Sequence, residues 1–268
     1  MKKLLFFLFA LSVLAAKAQN FEGTMTWKMT TEITDPKMKA QMEEAQKKMN
    51  DPATQAQMKE MEEKMNDPEF KKMMEANPQM KAQMEQMMKM ADSGGGMDSF
   101  MPKAIIIKIK GQNTLTHMDG GMMGNIDVLY VGSKNTTYKI DREAKTYSVM
   151  SGSDTMKLKD VKITKTSETA KILNYTCTKY IAESSVQGQP VKQIFWTTTA
   201  IKGLDMKSLA RQRMGNNQQA MFYEKIDGVP LKIEMKHPQM GMTMEVLEVK
   251  NQSLPASDFT VPKDFKED

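Results

Sequence analysis

The chain has 268 residues, with 38 Lys plus Arg against 33 Asp plus Glu, two His, one Cys and 30 Met. Without Lys2, Lys3 and Lys17 of its first 18 residues the formal charge falls from +5 to +2, a balance that excludes the basic footprint of a nucleic-acid binder. The lone Cys177 excludes an internal disulfide, so stability has to come from a packed core, and the chain is long enough to bury one.

Met1-Lys2-Lys3, the apolar run Leu4–Ala15 and the small-x-small triplet Ala16-Lys17-Ala18 together predict a signal peptide over residues 1–18. The expected location is the periplasm or the exterior. No Cys follows the apolar run, so no lipid anchor is expected, and no later stretch approaches the ~20 apolar residues of a membrane span. Residues 19–34 hold the first strand. Phe21, Gly23, Met25, Trp27 and Met29 alternate with Glu22, Thr24, Thr26, Lys28 and Thr30, which predicts one apolar face and one wet face.

Residues 35–101 are of another kind. They carry 15 of the 30 methionines, and from Asp35 to Asp92 there is no Leu, Ile, Val, Tyr, Trp or Gly, so strand formers are nearly absent and helix formers abound. Asx-Pro pairs recur at Asp35-Pro36, Asp51-Pro52, Asp67-Pro68 and Asn77-Pro78. An Asx side chain accepts from first-turn N–H groups, and Pro at the first helical position gives up an N–H that has no intrahelical partner. Each pair therefore predicts a new short helix, since Pro inside one long helix would cost about 3 kcal/mol. The apolar spacing is helical, with stripes at Met58, Met61 and Met65 and at Met80, Met84, Met87 and Met88. Methionine adapts to irregular partners, so these stripes predict a pliable apolar surface. Asn66-Asp67-Pro68-Glu69-Phe70-Lys71-Lys72-Met73-Met74 and its surroundings resemble the Met-rich Asx-Pro repeats of heat-shock-organising co-chaperones and ubiquilins, which implies short amphipathic helices cupping an apolar client.

After Ser93-Gly94-Gly95-Gly96 the sheet pattern resumes. Strands are expected at Ala104–Lys110, Asn125–Val131, Asn135–Ile140, Thr146–Met150, Leu158–Lys165, Lys171–Ala182, Val191–Thr198, Gln219–Lys225, Leu231–Lys236 and Met242–Val249, with a short helix over Leu204–Met214. So many hairpin-linked strands curl. The fold class is β-rich (α+β): an antiparallel curved half-barrel with a Met-rich helical insertion after its first strand, residues 102–268 completing the β domain.

Phe21-Glu22-Gly23-Thr24-Met25-Thr26-Trp27, Ala170–Tyr180, Gly228-Val229-Pro230-Leu231-Lys232-Ile233-Glu234-Met235 and Leu254-Pro255-Ala256-Ser257-Asp258-Phe259-Thr260-Val261-Pro262 resemble an exported family of Bacteroidetes, domain of unknown function number 4412. That family is similar to the outer-membrane lipoprotein carrier fold. The resemblance implies an antiparallel half-barrel whose apolar concave face, lidded by helices, holds acyl chains. The partner it implies is an apolar small molecule, a lipid, or a lipoprotein or client segment.

Catalytic patterns are scarce. His117 and His237 sit in no zinc or protease motif, and Cys177, inside a strand-like run, reads as a small buried hydrophobe. No enzyme, nucleic-acid partner or cofactor is expected. The candidate ligand contacts are Met58, Met61, Met65, Met80, Met84 and Met87 with Trp27 of the first strand. The alternative is a Cu(I) site, because His237, Met240, Met242 and Met244 place three thioethers on one strand face near an imidazole. Period-2 methionines that simply pack an inner face give the same pattern.

Overall fold

A computed structural model describes residues 20–65, 67–77, 84, 101–121, 126–150, 161–186, 189–204, 206, 222–223, 225–237 and 239–268. The predicted signal peptide, residues 1–18, lies outside them. Twelve strands build one open, curved sheet: β1 (Glu22–Ile33), β2 (Ala104–Lys110), β3 (Asn113–Asp119), β4 (Ile126–Val131), β5 (Thr136–Asp141), β6 (Thr146–Val149), β7 (Lys162–Ile172), β8 (Tyr175–Val186), β9 (Gln189–Thr198), β10 (Val229–Lys236), β11 (Met240–Asn251) and β12 (Lys266–Glu267). Their order is β12-β6-β5-β4-β3-β2-β1-β11-β10-β9-β8-β7. Two antiparallel meanders thus flank β1, which pairs with β2 on one side and with β11, the last long strand, on the other. The first strand is the keystone.

The two faces carry separate cores. On the inner face Met25, Trp27, Ile105, Ile109, Val246, Ile233, Phe195 and Tyr180 pack with Met206, Phe222 and Ile226 from the connection between β9 and β10. On the outer face Leu115, Leu129 and Ile140 are covered by Leu254 and Phe259 of the C-terminal segment. Three polar clasps hold that segment. The Glu22 carboxylate accepts from Leu254 N–H (2.6 Å), Ser253 Oγ (3.2 Å) and Lys110 Nζ (2.8 Å). Lys110 Nζ also donates to the Leu254 carbonyl at 2.5 Å, and Lys108 Nζ donates to Asp258 at 2.7 Å. Gly23 lies on β1 against the Lys250 backbone of β11, and a Cβ there would lie 1.9 Å from the Lys250 carbonyl oxygen. Only glycine permits that approach.

Between β1 and β2 stand α1 (Pro36–Met49), α2 (Pro52–Met65) and α3 (Pro68–Ala76). Each starts at its Asx-Pro pair as the sequence predicts. Asp35 Oδ1 accepts from Met38 N–H at 2.8 Å, Asp51 Oδ2 from Ala53 and Thr54 at 3.1 and 3.3 Å, and Asp67 Oδ1 from Glu69 and Phe70 at 2.8 and 3.2 Å. These are the N-cap bonds that satisfy free first-turn donors. A helix opened by Asn77-Pro78 falls almost entirely outside the described residues, of which Met84 is helical.

Several strand expectations shift. β3 is missed by the sequence reading because its inward residues Thr114 and Thr116 are buried threonines rather than aliphatic side chains. The strand expected over Lys171–Ala182 is broken at Leu173-Asn174, where β7 turns into β8 with Leu173 exposed at φ 52°. A left-handed leucine has no compositional signature. Phe222 and Tyr223, expected within a strand over Gln219–Lys225, are helical and lie against the inner face. Most of the helix expected at Leu204–Met214 lies outside the described residues, with Met206 helical and buried.

Candidate functional site

The site follows from how burial changes along β1. Phe21, Gly23, Met25 and Trp27 are buried in turn, Met25 completely, whereas Met29, Thr31 and Ile33 on the same face are only half-buried. The inner face is closed at one end and open at the other. Register fixes what lines the open end. Across the sheet Met29 lies beside Met244, then Ile233, Phe195 and Tyr180; the next row is Thr31, Met242, Met235, Gln193 and Ala182; the last is Ile33 beside Met240. Directly opposed residues on one face have Cβ atoms about 4.5–5.5 Å apart. Met29, Met244, Met242 and Met235 therefore form a continuous thioether surface, and all four are half-buried.

Polar atoms on this face are left without partners. Trp27 Nε1, Thr31 Oγ1 and the Gln193 side-chain oxygen are buried and unpaired, as is Thr114 Oγ1 further along the sheet. Buried polar atoms are nearly always paired, so three orphans along one apolar trough mark where a hydrogen-bonding ligand would be rewarded. Charge is sorted to the other side. Lys28, Glu32, Lys232, Glu234, Lys236 and Glu245 alternate outward, where Glu234 accepts from Trp196 Nε1 at 3.2 Å and Lys232 lies 3.6 and 3.7 Å from Glu234 and Glu245. A cavity of ≈ 630 Å³ lies at side-chain-free Gly241, lined by Thr30, Thr31, Glu32, Thr34, Glu234, Met235, Lys236, His237, Met242 and Thr243.

Titration behaviour follows the same partition. Desolvation pushes the phenol of half-buried Tyr223 above its usual range, and its ring packs edge-on against Phe195 at 6.1 Å. Burial likewise pushes the Cys177 thiol up, as expected for a small core hydrophobe. His117 sits on the outer face, its Nδ1 2.6 Å from fully buried Asp127, which also accepts from Arg142 Nε at 2.5 Å. Cys177 packs in the inner-face core, so the sheet does not bring the two together.

The sequence-predicted contacts divide. Trp27 lies on the trough floor. Met58 and Met61 of α2 are half-buried and exposed, and no described residue of α1–α3 is buried, so the described helices do not cup a closed groove. Amphipathic spacing marks a face but does not say that anything covers it. Met84 is half-buried, while Met80, Met87 and the side chain of Met65 fall outside the described residues. Of the described helices α1–α3, only α1 approaches the trough, where Lys39, Met42, Glu43 and Gln46 face Thr31–Ile33 across a gap of ≈ 340 Å³. The Thr34 and Asp35 N–H groups, donating to the Gln239 carbonyl at 3.0 and 3.2 Å, hold the start of α1 to the β10–β11 hairpin.

The alternative metal set falls on the same hairpin. His237 is exposed on that hairpin with Nδ1 accepting from Gln239 N–H at 3.5 Å, while Met240, Met242 and Met244 lie against Ile33, Thr31 and Met29. Among the described residues no three His, Cys, Asp or Glu side chains gather to hold a metal ion. The residues that sequence reasoning passed over are Thr31, Met235 and Gln193. Continuing the β1 alternation past Met29 would have found Thr31, and the period-2 run Leu231, Ile233, Met235 marks the second. Gln193 carries no signal of its own.

Residues 110–265 match the family described as Domain of unknown function (DUF4412). No curated protein matches the sequence. Among solved structures the chain is similar to LprF from Mycobacterium bovis, at 8% identity over 63% of this chain and 84% of that one, with a TM-score of 0.28.

Proposed function

We propose that this chain, which belongs to the DUF4412 family, is an exported binding or carrier protein that holds an apolar ligand in the inner-face trough of its sheet. The observation that supports this most directly is the burial gradient along β1, which leaves Met29, Met235, Met242 and Met244 half-buried beside a closed core. Completing the burial of a methionine is worth up to roughly 1.5–3 kcal/mol, and each ligand methylene taken from water about 0.8 kcal/mol. A chain of a dozen carbons then reaches micromolar affinity, about −8 kcal/mol, after the cost of association. Methionine suits a surface that meets ligand of variable outline. The role is binding rather than catalysis, since the trough walls are thioethers and aliphatic groups without an acid–base pair among the described residues. Export rests on the leader-like residues 1–18.

The test is displacement of a neutral fluorescent probe, 1-N-phenylnaphthylamine, by aliphatic ligands. Wild type should bind in the micromolar range. Met242→Gln with Met244→Gln should weaken binding at least tenfold, while the corresponding Leu pair retains it, because Leu and Met have similar volume. Equal binding by the Gln pair would refute the trough as the site.

A further inference from the structure

The orphaned polar atoms say what kind of head group the ligand carries. Thr31 and Gln193 occupy the same row as Met242 and Met235, so three inter-strand gaps of about 4.8 Å place them roughly 14 Å apart, on either side of the thioether surface. Gln193 is 5% exposed and its amide oxygen is an acceptor with nothing to accept from. Trp27, one row deeper than Met29, offers an unpaired donor at Nε1. An acceptor at Gln193 rewards a head-group O–H or N–H, and the separate donor at Trp27 rewards a carbonyl or hydroxyl oxygen.

No inward side chain of β1, β11, β10 or β9 along this row is charged. On β1 from Met29, on β11 up to Met244, on β10 from Ile233 and on β9 up to Phe195, the inward residues are Met29, Thr31, Ile33, Met240, Met242, Met244, Ile233, Met235, Val191, Gln193 and Phe195. None is charged; the charges that face the row from outside the sheet, Lys39 and Glu43 of α1, stand across the gap at its Thr31 end. A carboxylate or phosphate brought to Gln193, at the other end of the row, would lose water and gain no cation. Resting on the carrier reading above, we infer that the trough takes uncharged amphiphiles whose head group carries a hydroxyl or amide donor, in preference to fatty-acid anions.

The experiment compares four C18:1 ligands at pH 7.5 by displacement of 1-N-phenylnaphthylamine: monoolein, oleamide, oleate and methyl oleate. Monoolein and oleamide should each bind about tenfold more tightly than oleate or methyl oleate, the size of one hydrogen bond to a buried acceptor. Gln193→Leu should erase the advantage of monoolein over methyl oleate while leaving methyl oleate unchanged or tighter. Thr31→Val, which deletes an unpaired hydroxyl at constant shape about 14 Å away at the other end of the row, should leave that advantage in place and is the control for general damage to the trough. Oleate binding as tightly as monoolein, or a monoolein advantage that persists in Gln193→Leu, overturns the head-group inference and leaves the carrier reading standing. Failure of all four ligands to displace the probe overturns both.

Discussion

Excising Pro36–Asn77 joins Asp35 directly to Pro78 and so restores an Asx-Pro pair at the junction, which makes it a clean test of whether α1–α3 belong to the core. The described residues of these helices include none that is buried, and their ion pairs Glu44–Lys48 and Glu60–Lys64 are internal to single helices and exposed, so solvent screening leaves them little weight in the fold. The bonds from Thr34 and Asp35 to Gln239 survive the excision, because both residues remain. What is lost is the approach of Lys39, Met42, Glu43 and Gln46 to Thr31–Ile33 across an open gap, which amounts to about 1 kcal/mol or less. For a chain of this size that corresponds to a shift in Tm of roughly 2–4 °C. The assay is thermal unfolding followed by circular dichroism at 218 nm, with the β signal and the single cooperative transition both expected to persist. A Tm drop beyond about 10 °C, or loss of the cooperative transition, would show that the sheet depends on α1–α3 and would refute the reasoning.

Two further outcomes follow from the fold. Gly23→Ala should destabilise by about 3 kcal/mol or more, at the upper end of overpacking effects, because its Cβ would meet backbone rather than a movable side chain; an unchanged midpoint in urea would refute the close approach of β1 and β11. Lys110 and the Leu254 N–H hold the Glu22 carboxyl below its ordinary value of 4.5, so its clasp on the C-terminal segment is fully present above the unfolded-state pKa and is lost as pH falls through the lower folded one. Glu22→Gln should therefore lower Tm at pH 7 and flatten the Tm decline between pH 5 and 3, and parallel wild-type and mutant profiles would count against that clasp.

Local chemistry was enough to locate the helices. Asx-Pro pairs act within one turn through bonds between residues two and three apart, so Asp35, Asp51 and Asp67 announce their helices without help from the rest of the chain. Period-2 alternation likewise gave β1, because a strand with one apolar face shows its period wherever it pairs. Local signals failed where the partner decides. Thr114 and Thr116 read as surface residues until β2 and β4 enclose them, and the Leu173-Asn174 turn is fixed by the pairing of β7 with β8.

The site shows the same division. Sequence alone determined that methionine dominates the apolar stripes and that Trp27 lies on the apolar face of β1, since both are matters of composition and alternation. Only the tertiary structure decided which methionines share a surface, because Met29, Met235, Met242 and Met244 are brought together by the β1–β11 and β10–β11 registers, pairings between residues as much as 215 positions apart. A helical stripe such as Met58 and Met61 is visible in sequence yet stays uncovered, whereas Gln193 is invisible in sequence yet ends up buried and unpaired. Burial is a property of what packs against a residue, and no residue encodes its own neighbour across a sheet.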